Sequence, residues 1–388
     1  MKNSPLRELG FDEARLARVE AWITADIQAE RCHGAHLIVA RRGQVALEIV
    51  RGLADKAAGK PLADNAVFCS LSVGKQFTTA LVLSLVERGL LALHAPVASV
   101  IPEFGKLGKE RVTLFQLLTQ TSGVQATIPA VPPTVLGSID KLTQYACGSA
   151  LESRPGERVN YSIVLAHAVM ASMCLRVDGR GRTFAQMLND VVFEPLKMRD
   201  STLGVRADLL ARYCPVRCAY KEPGLFSPEA IEGIGELIQM PGCELPAGGY
   251  LTSARDMHRF AEMLRRGGEL DGVRILAPAT IEFCTRNQTG EAPNELWNYT
   301  TGFRGWDPFP AYLGVGFFLR GEKPTPGPFG TFNSPRTFGG IGAGSTCFWI
   351  DPVRDLTLAF ASTGLMEDCF HLERMARLSD LVVTSLVD

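Results

Sequence analysis

Two β-rich stretches sit near opposite ends of the chain, with a long region of helical character between them. Residues 36–50 read HLIVA, RRGQ, VALEIV, a strand, turn and strand with β-branched residues on both sides of a Gly-bearing turn. Three more strand-like runs follow far downstream: YLGVGFFLR at 312–320, STCFWID at 345–351 and LTLAFAST at 356–363. Each end also offers an amphipathic helix. Phe11, Leu16, Val19, Ile23 and Ile27 recur at helical spacing over residues 11–31, and a last helix is predicted over about 367–386. The pattern predicts an α+β fold. Strands near residue 40 pair with those at 345–362 in one antiparallel sheet flanked by the terminal helices.

The middle of the chain reads differently. Residues 72–91 form a strong apolar helix with Gly89 near its end. LFQLLTQTSG, SIDKLTQYACGSALE, SIVLAHAVMASMCL and TFAQMLNDVVFEPL make residues 92–220 mostly helical. LTSARDMHRFAEMLRRGG starts a further helix with Thr252 or Ser253 as N-cap and stops it at Gly267 and Gly268. Residues 321–336, GEKPTPGPFGTFNSPR, are a Gly- and Pro-rich loop. With 388 residues the chain is long enough for two domains. The expected division is a sheet domain from residues 1–80 and 221–388, a helical domain from 81–220, and an active site in the cleft between them.

Charge and composition remove several classes of function. Lys and Arg number 40 and Asp and Glu 41, a net charge of −1, so the basic excess of a nucleic-acid binder is absent. No apolar run reaches the length of a membrane span. The opening MKNSPLRELGFDEARLARVEAW has charges every few residues and no apolar core of a secretory signal. The ten cysteines are scattered without a C-x-x-C and mostly lie among apolar neighbours. They read as buried free thiols in a reducing compartment, and a cytoplasmic location is expected. Cys214 and Cys218 have no His or second Cys pair at ligand spacing, and H-E-x-x-H is absent, so neither metal nor cofactor is expected. The expected partner is a small-molecule ester or acyl substrate, with no nucleic acid and no membrane; the oligomeric state is not legible.

Among motifs, the G-x-S-x-G elbow of α/β hydrolases does not occur. Gly340-Ile341-Gly342-Ala343-Gly344-Ser345 looks like a dinucleotide loop but lacks the third Gly and precedes a strand, not a helix. Ser72-Val73-Gly74-Lys75 opens the long apolar helix. Positions i and i+3 share a helix face, so Lys75 is within reach of the Ser72 hydroxyl, which needs a neighbouring base to become a nucleophile. Free N–H groups at a helix start also favour a developing oxyanion. Taken alone, the same four residues more often mean a simple N-cap and a solvated lysine.

The wider segment VFCSLSVGKQFTTALVLSLVERGLLALHAPVASVIPEF resembles the serine β-lactamase and penicillin-binding-protein superfamily, in its branch of class C β-lactamase-like esterases and transesterases. TLFQLLTQTSGV (with Gln120 where His is usual), RPGERVNYS, FEPLKMRDSTL, the stretch GGYLTSARDMHRFAEMLRRGGELDGVRIL and FGGIGAGSTCFWIDP fit the same family in order, over roughly residues 30–365. The resemblance implies a β-lactamase-like fold with Ser72 as acyl-accepting nucleophile. Lys75 would be its base, or the cation that keeps Tyr161 deprotonated, and Tyr161 would be the proton shuttle. Two motifs depart from the β-lactamase pattern. The second reads Tyr161-Ser162-Ile163, with Ile163 in place of Asn, and the third reads Gly340-Ile341-Gly342 in place of Lys-Thr-Gly. In that register the backbone N–H groups of Ser72 and Ala343 would form the oxyanion hole. Ile163, Gly340, Ile341 and Gly342 would border the substrate.

Residues 297–318 hold eight aromatics, about a third of the segment against 8% in the chain, and either pack in the core or wall the substrate pocket. Trp306 and Phe309 are the candidates for that wall. His33, His36, His94, His167, His258 and His371 fall in no catalytic motif and read as structural. The reading is a serine hydrolase of carboxylic esters. An acyltransferase or a D-residue peptidase or amidase on the same site, and an inactive binding protein, are the alternatives.

Overall fold

The computed structural model describes residues 5–222 and 224–388. Its strands are β1 (Gly34–Arg41), β2 (Gln44–Asp55), β3 (Lys60–Pro61), β4 (Phe68–Cys69), β5 (Thr202–Leu203), β6 (Tyr250–Thr252), β7 (Glu269–Leu270), β8 (Val273–Arg274), β9 (Phe318–Leu319), β10 (Phe338–Gly342), β11 (Thr346–Asp351) and β12 (Leu356–Thr363). Seven of them form one sheet in the order β3-β2-β1-β12-β11-β10-β9. The two ends of the chain meet at its centre, where β1 runs antiparallel to β12 with Gly34 opposite Thr363 and Arg41 opposite Leu356. The β1–β2 turn is Arg42-Gly43, both at positive φ, the geometry a two-residue hairpin requires.

Side chains alternate between two cores, as strand geometry dictates. Leu37 and Val39 of β1, Cys347 and Trp349 of β11, and Leu358 and Phe360 of β12 face one core with the terminal helices Glu13–Gln28 and Asp368–Val383. The Trp349 indole N–H donates to Ser379 Oγ at 2.9 Å, pinning the C-terminal helix to the sheet. Ile38, Phe348, Ile350, Ala359 and Ala361 point the other way, into a core shared with helix Ala254–Arg265 and the helical middle of the chain. That core centres on helix Gly74–Glu87, whose residues from Gly74 to Leu85 are all buried. A helix apolar on every side belongs inside a protein. Phe77 packs edge-on against Phe193, Tyr250 and Phe260. The fold is therefore α+β, an antiparallel sheet covered on one face by the two terminal helices and on the other by helix Ala254–Arg265, with a largely helical insertion.

Two local expectations need correcting. YLGVGFFLR contributes only Phe318–Leu319 to the sheet, because Tyr312 (φ +43°) and Gly316 (φ +79°) bend the backbone out of strand geometry. Conversely, the glycine-rich Phe338–Gly342 is an interior strand of the sheet, between β11 and β9. Glycine has little strand preference, so pattern reading passes it over. Here small size is needed, since a Cβ on Gly340 would strike the Gln76 side chain and one on Gly342 the Thr346 hydroxyl. The middle region is also less regular than expected: helices Leu114–Leu118, Ile139–Gly148, Leu165–Asp178 and Phe184–Leu188 are separated by long ordered loops. All ten cysteines are unpaired thiols, and every one except Cys218 is buried. No helix among the described residues is long and apolar enough to cross a membrane.

Candidate active site

Ser72 lies in a single 3-10 turn, Leu71–Val73, that leads into helix Gly74–Glu87. The turn is reached through Leu71 at φ +46°, a left-handed conformation that costs a branched residue on the order of 1 kcal/mol. Packing holds it there: Ser70 N–H donates to Tyr250 O at 2.9 Å, and Thr346 Oγ1 donates to Ser70 O at 2.6 Å. The Lys75 ammonium is buried at 2% exposure, donating to Ser72 Oγ at 3.1 Å and to Ala247 O at 2.9 Å. Among the described residues no carboxylate pairs with it, and burial pushes its pKa down to about 7. A lysine that is substantially neutral near pH 7 is able to accept a proton from the hydroxyl it touches.

Tyr161 faces this pair from the loop before helix Leu165–Asp178. The Lys75 Nζ lies 4.9 Å from the centre of its ring. Burial raises the phenol above its usual range, and the neighbouring Ser72 hydroxyl acts in the opposite direction. In the resting site Tyr161 is thus protonated and Lys75 readily neutral, the reverse of a phenolate held by an ammonium. Gln120 grips the backbone on either side of Tyr161. Its carbonyl accepts from Asn160 N–H at 2.9 Å, and its side-chain Oε1 accepts from Ser162 N–H at 2.9 Å. Ser162 Oγ then accepts from Ala166 N–H at 3.1 Å, closing the first turn of the following helix. The sequence marked Gln120 only as an unusual residue after a short helix; its clamp on Tyr161 is a tertiary contact without a local signal.

The third side is the β10–β11 hairpin. Gly342 abuts the nucleophile turn so closely that a Cβ there would lie 2.6 Å from Ser70 O and 3.1 Å from Ser72 N. Ala343 follows in the turn. Among the described residues, neither the Ser72 nor the Ala343 backbone N–H donates to another group of the chain. Two free donors beside a serine hydroxyl are the arrangement a tetrahedral oxyanion needs.

Ser72 and Tyr161 open into a cavity walled by Ile163, Phe226, Trp297, Phe318, Ile341, Ala343 and Asp368, among others. Of the residues anticipated for this site, Ser72, Tyr161, Ile163, Ile341, Gly342 and Ala343 line that cavity together, and Lys75 lies directly behind it. Gly340 does not: its open side is turned to Gln76 in the interior. Trp306 and Phe309 are also absent from the cavity wall, although Phe309 stacks at 6.3 Å on Trp297, which belongs to it. Strand alternation turns Gly340 to the face opposite Ile341, whereas Gly342, the last residue of the strand, meets the cavity with its backbone. His167 is a second residue that its sequence neighbourhood did not flag. It shares a small internal chamber with Lys75, Gln76 and Gln120, and burial together with the Lys75 charge keeps its ring neutral. No group of three or more His, Cys, Asp or Glu able to hold a metal ion occurs among the described residues.

Comparisons with known proteins place the chain by family and by fold. "Esterase EstB" from Burkholderia gladioli is 34% identical over 72% of the chain and 76% of its own length. "Esterase/beta-lactamase LipL" from Mycobacterium tuberculosis is 22% identical over 93% of the chain and 84% of its own length. The fold is also that of a family VIII carboxylesterase (TM-score 0.79, 22% identity, 97% of this chain and 99% of that one). A penicillin-binding protein homologue from Caulobacter crescentus shares it too (TM-score 0.77, 24% identity, the same coverage). The beta-lactamase sequence family matches residues 19–379, a span that takes in the nucleophile turn, the Tyr161 loop and the β10–β11 hairpin alike, and the chain belongs to that family.

Proposed function

We propose that the protein is a serine hydrolase that cleaves carboxylic esters through an acyl-enzyme on Ser72. The observation behind this reading is the buried Lys75 amine, 3.1 Å from Ser72 Oγ and with its pKa lowered to about 7. Ser72 Oγ attacks the ester carbonyl carbon while its proton passes to neutral Lys75. The carbonyl oxygen becomes an oxyanion facing the N–H groups of Ser72 and Ala343. Tyr161 hands its proton to the departing alcohol oxygen as the C–O bond breaks, and is reprotonated from Lys75. Water then attacks the acyl carbon with the proton transfers reversed, freeing the acid and restoring Ser72. The names of the esterase relatives support this substrate class, and the apolar cavity supports a neutral acyl or alcohol group. An acceptor alcohol in place of water would make the same acyl-enzyme a transferase.

Intact-mass measurement after treatment with a fluorophosphonate tests the reading. One adduct per chain is expected, on Ser72, and it disappears in Ser72→Ala together with turnover of p-nitrophenyl butyrate. An adduct that persists in Ser72→Ala overturns the nucleophile. Absence of any adduct on the native chain favours an inactive binding protein.

A further inference from the structure

The cavity in front of Ser72 contains one carboxylate. Asp368 lines it alongside Trp297, Phe318, Phe226, Leu225, Ile341 and Leu372, and the remaining ionisable wall residue is Tyr161 itself. Asp368 is the first residue of helix Asp368–Val383, where an acidic side chain often serves merely to cap the helix. That role is already filled. The neighbouring Glu367 is the cap, accepting from Cys369 N–H at 2.8 Å, and its other oxygen accepts from Leu225 N–H at 3.4 Å. Among the described residues Asp368 takes part in no ion pair, in a chain where most buried acids have an arginine; its carboxylate accepts only from backbone N–H groups, those of Gly344 and of Asp368 itself. Burial and the adjacent Glu367 raise its pKa to about 7; the backbone N–H groups of Gly344 and Asp368 act in the other direction, and no cation does. The other titratable groups that sense it are Cys218, Tyr220, Tyr299 and Cys369, none of them positive.

An ionised carboxylate in an apolar wall costs free energy until something positive reaches it. The residues around it suit a cation: the aromatic side chains of Trp297, Phe318 and Phe226 share the cavity, and ring faces attract ammonium groups. A substrate carboxylate would meet like charge instead. Resting on the assignment of this cavity as the ester site, we propose that Asp368 makes the enzyme selective for esters whose acyl or alcohol part bears an ammonium group, and selective against those bearing a carboxylate. Asp368 is thus a specificity-determining residue, distinct from the Ser72, Lys75 and Tyr161 chemistry.

Three p-nitrophenyl esters of equal length test this, with an ω-ammonium, a neutral and an ω-carboxylate acyl chain, assayed above pH 7. The native enzyme is expected to rank them ammonium, neutral, carboxylate in kcat/KM, with about tenfold to a hundredfold between the first two, the range of a charge-assisted contact. In Asp368→Asn the ammonium-to-neutral ratio should fall to about one. Asp368→Ser, which keeps a polar helix start, is the second variant should the first fold poorly. An ammonium-to-neutral ratio at or below one in the native enzyme, or a ratio unchanged in both variants, overturns the proposal. Binding separates this outcome from failure of the hydrolase reading. Calorimetric titration of Ser72→Ala with butyltrimethylammonium and its uncharged carbon isostere needs no turnover. Preference for the cation that is lost on adding Asp368→Asn upholds the charge selectivity even if no ester is hydrolysed, and equal binding of the two compounds refutes it.

Discussion

The two sides of the active-site cleft are built on different principles. On the nucleophile side, Ser72 and Lys75 are three residues apart, and one turn of backbone brings their side chains to 3.1 Å. On the opposite side, Tyr161 is set by Gln120, 42 residues upstream of its bonded partner Ser162. The oxyanion side depends on a still longer connection, with Thr346 Oγ1 bonded to Ser70 O across 276 residues. The first side is a local motif seated in a rigid, fully buried helix. The second consists of loops whose positions depend on a few non-local hydrogen bonds. Under the proposed mechanism, the closeness of the base is thus encoded locally, and the aiming of the proton donor and the oxyanion site at one atom is assembled by the fold.

The comparison breaks most sharply if the two sides act independently. Lys75→Ala and Tyr161→Phe are each expected to lower kcat by about 10²–10⁴-fold. The double variant should lose little more than the worse single one, because both residues move the same proton. Additive losses, measured with p-nitrophenyl butyrate, would mean two separate relays. A nearly active Lys75→Ala would transfer the base role elsewhere, with His167 next in line behind the site.

The next effect is on pH dependence. A lowered lysine pKa means that the neutral, proton-accepting form is lost as pH falls through about 7. kcat/KM for a neutral ester should therefore rise with pH, by about tenfold per unit below 7, and level off above it. Tyr161, shifted upward by burial, stays protonated across this range and contributes no limb of its own. A rate that climbs as pH drops below 7 would contradict the assignment of Lys75 as base.

A smaller effect isolates the loop side alone. Gln120→Ala leaves the buried Ser162 N–H without its acceptor, a loss of roughly 1–3 kcal/mol in local structure. Gln120 is a positioning residue, so kcat should fall about tenfold with KM nearly constant, since one misplaced proton donor costs about that much. In a Tyr161→Phe background the substitution should have no further effect on kcat. A KM change of the same size, or a loss that persists without the phenol, would place Gln120 in substrate binding.

The smallest expected change concerns the aromatic segment. Trp297 borders the cavity and Trp306 does not. Trp297→Ala should alter the ranking of p-nitrophenyl esters by acyl length, whereas Trp306→Ala should preserve it. Rates across a chain-length series decide this, and a reordered ranking in Trp306→Ala would bring that residue back to the pocket.

What was legible in the sequence had local causes. Short β-branched and apolar runs marked β1, β11 and β12 as strands of one sheet, because such residues suit a strand buried on both faces. The amphipathic ends gave the flanking helices, and Ser253 capped its helix as hydroxyl spacing implied, its side chain accepting from Asp256 N–H at 3.2 Å. The serine–lysine pair was legible because helix geometry fixes positions three apart. The rest was decided in three dimensions. Gly340 and Gly342 are glycine because neighbouring atoms leave no room for a Cβ, a constraint that comes from Gln76 and Ser70 at distant positions in the chain. The substrate wall combines Phe226, Trp297, Phe318 and Asp368 from four separate segments, so a local cluster such as 297–318 predicts aromatic content but not which rings face the cavity. The same holds for charge state: the sequence supplies a lysine, a tyrosine and an aspartate with ordinary affinities for protons, burial moves Lys75 down and Tyr161 up, and burial together with Glu367 moves Asp368 up. Proton affinity depends on how much water the fold removes from each group, and that is settled only when distant segments close over them.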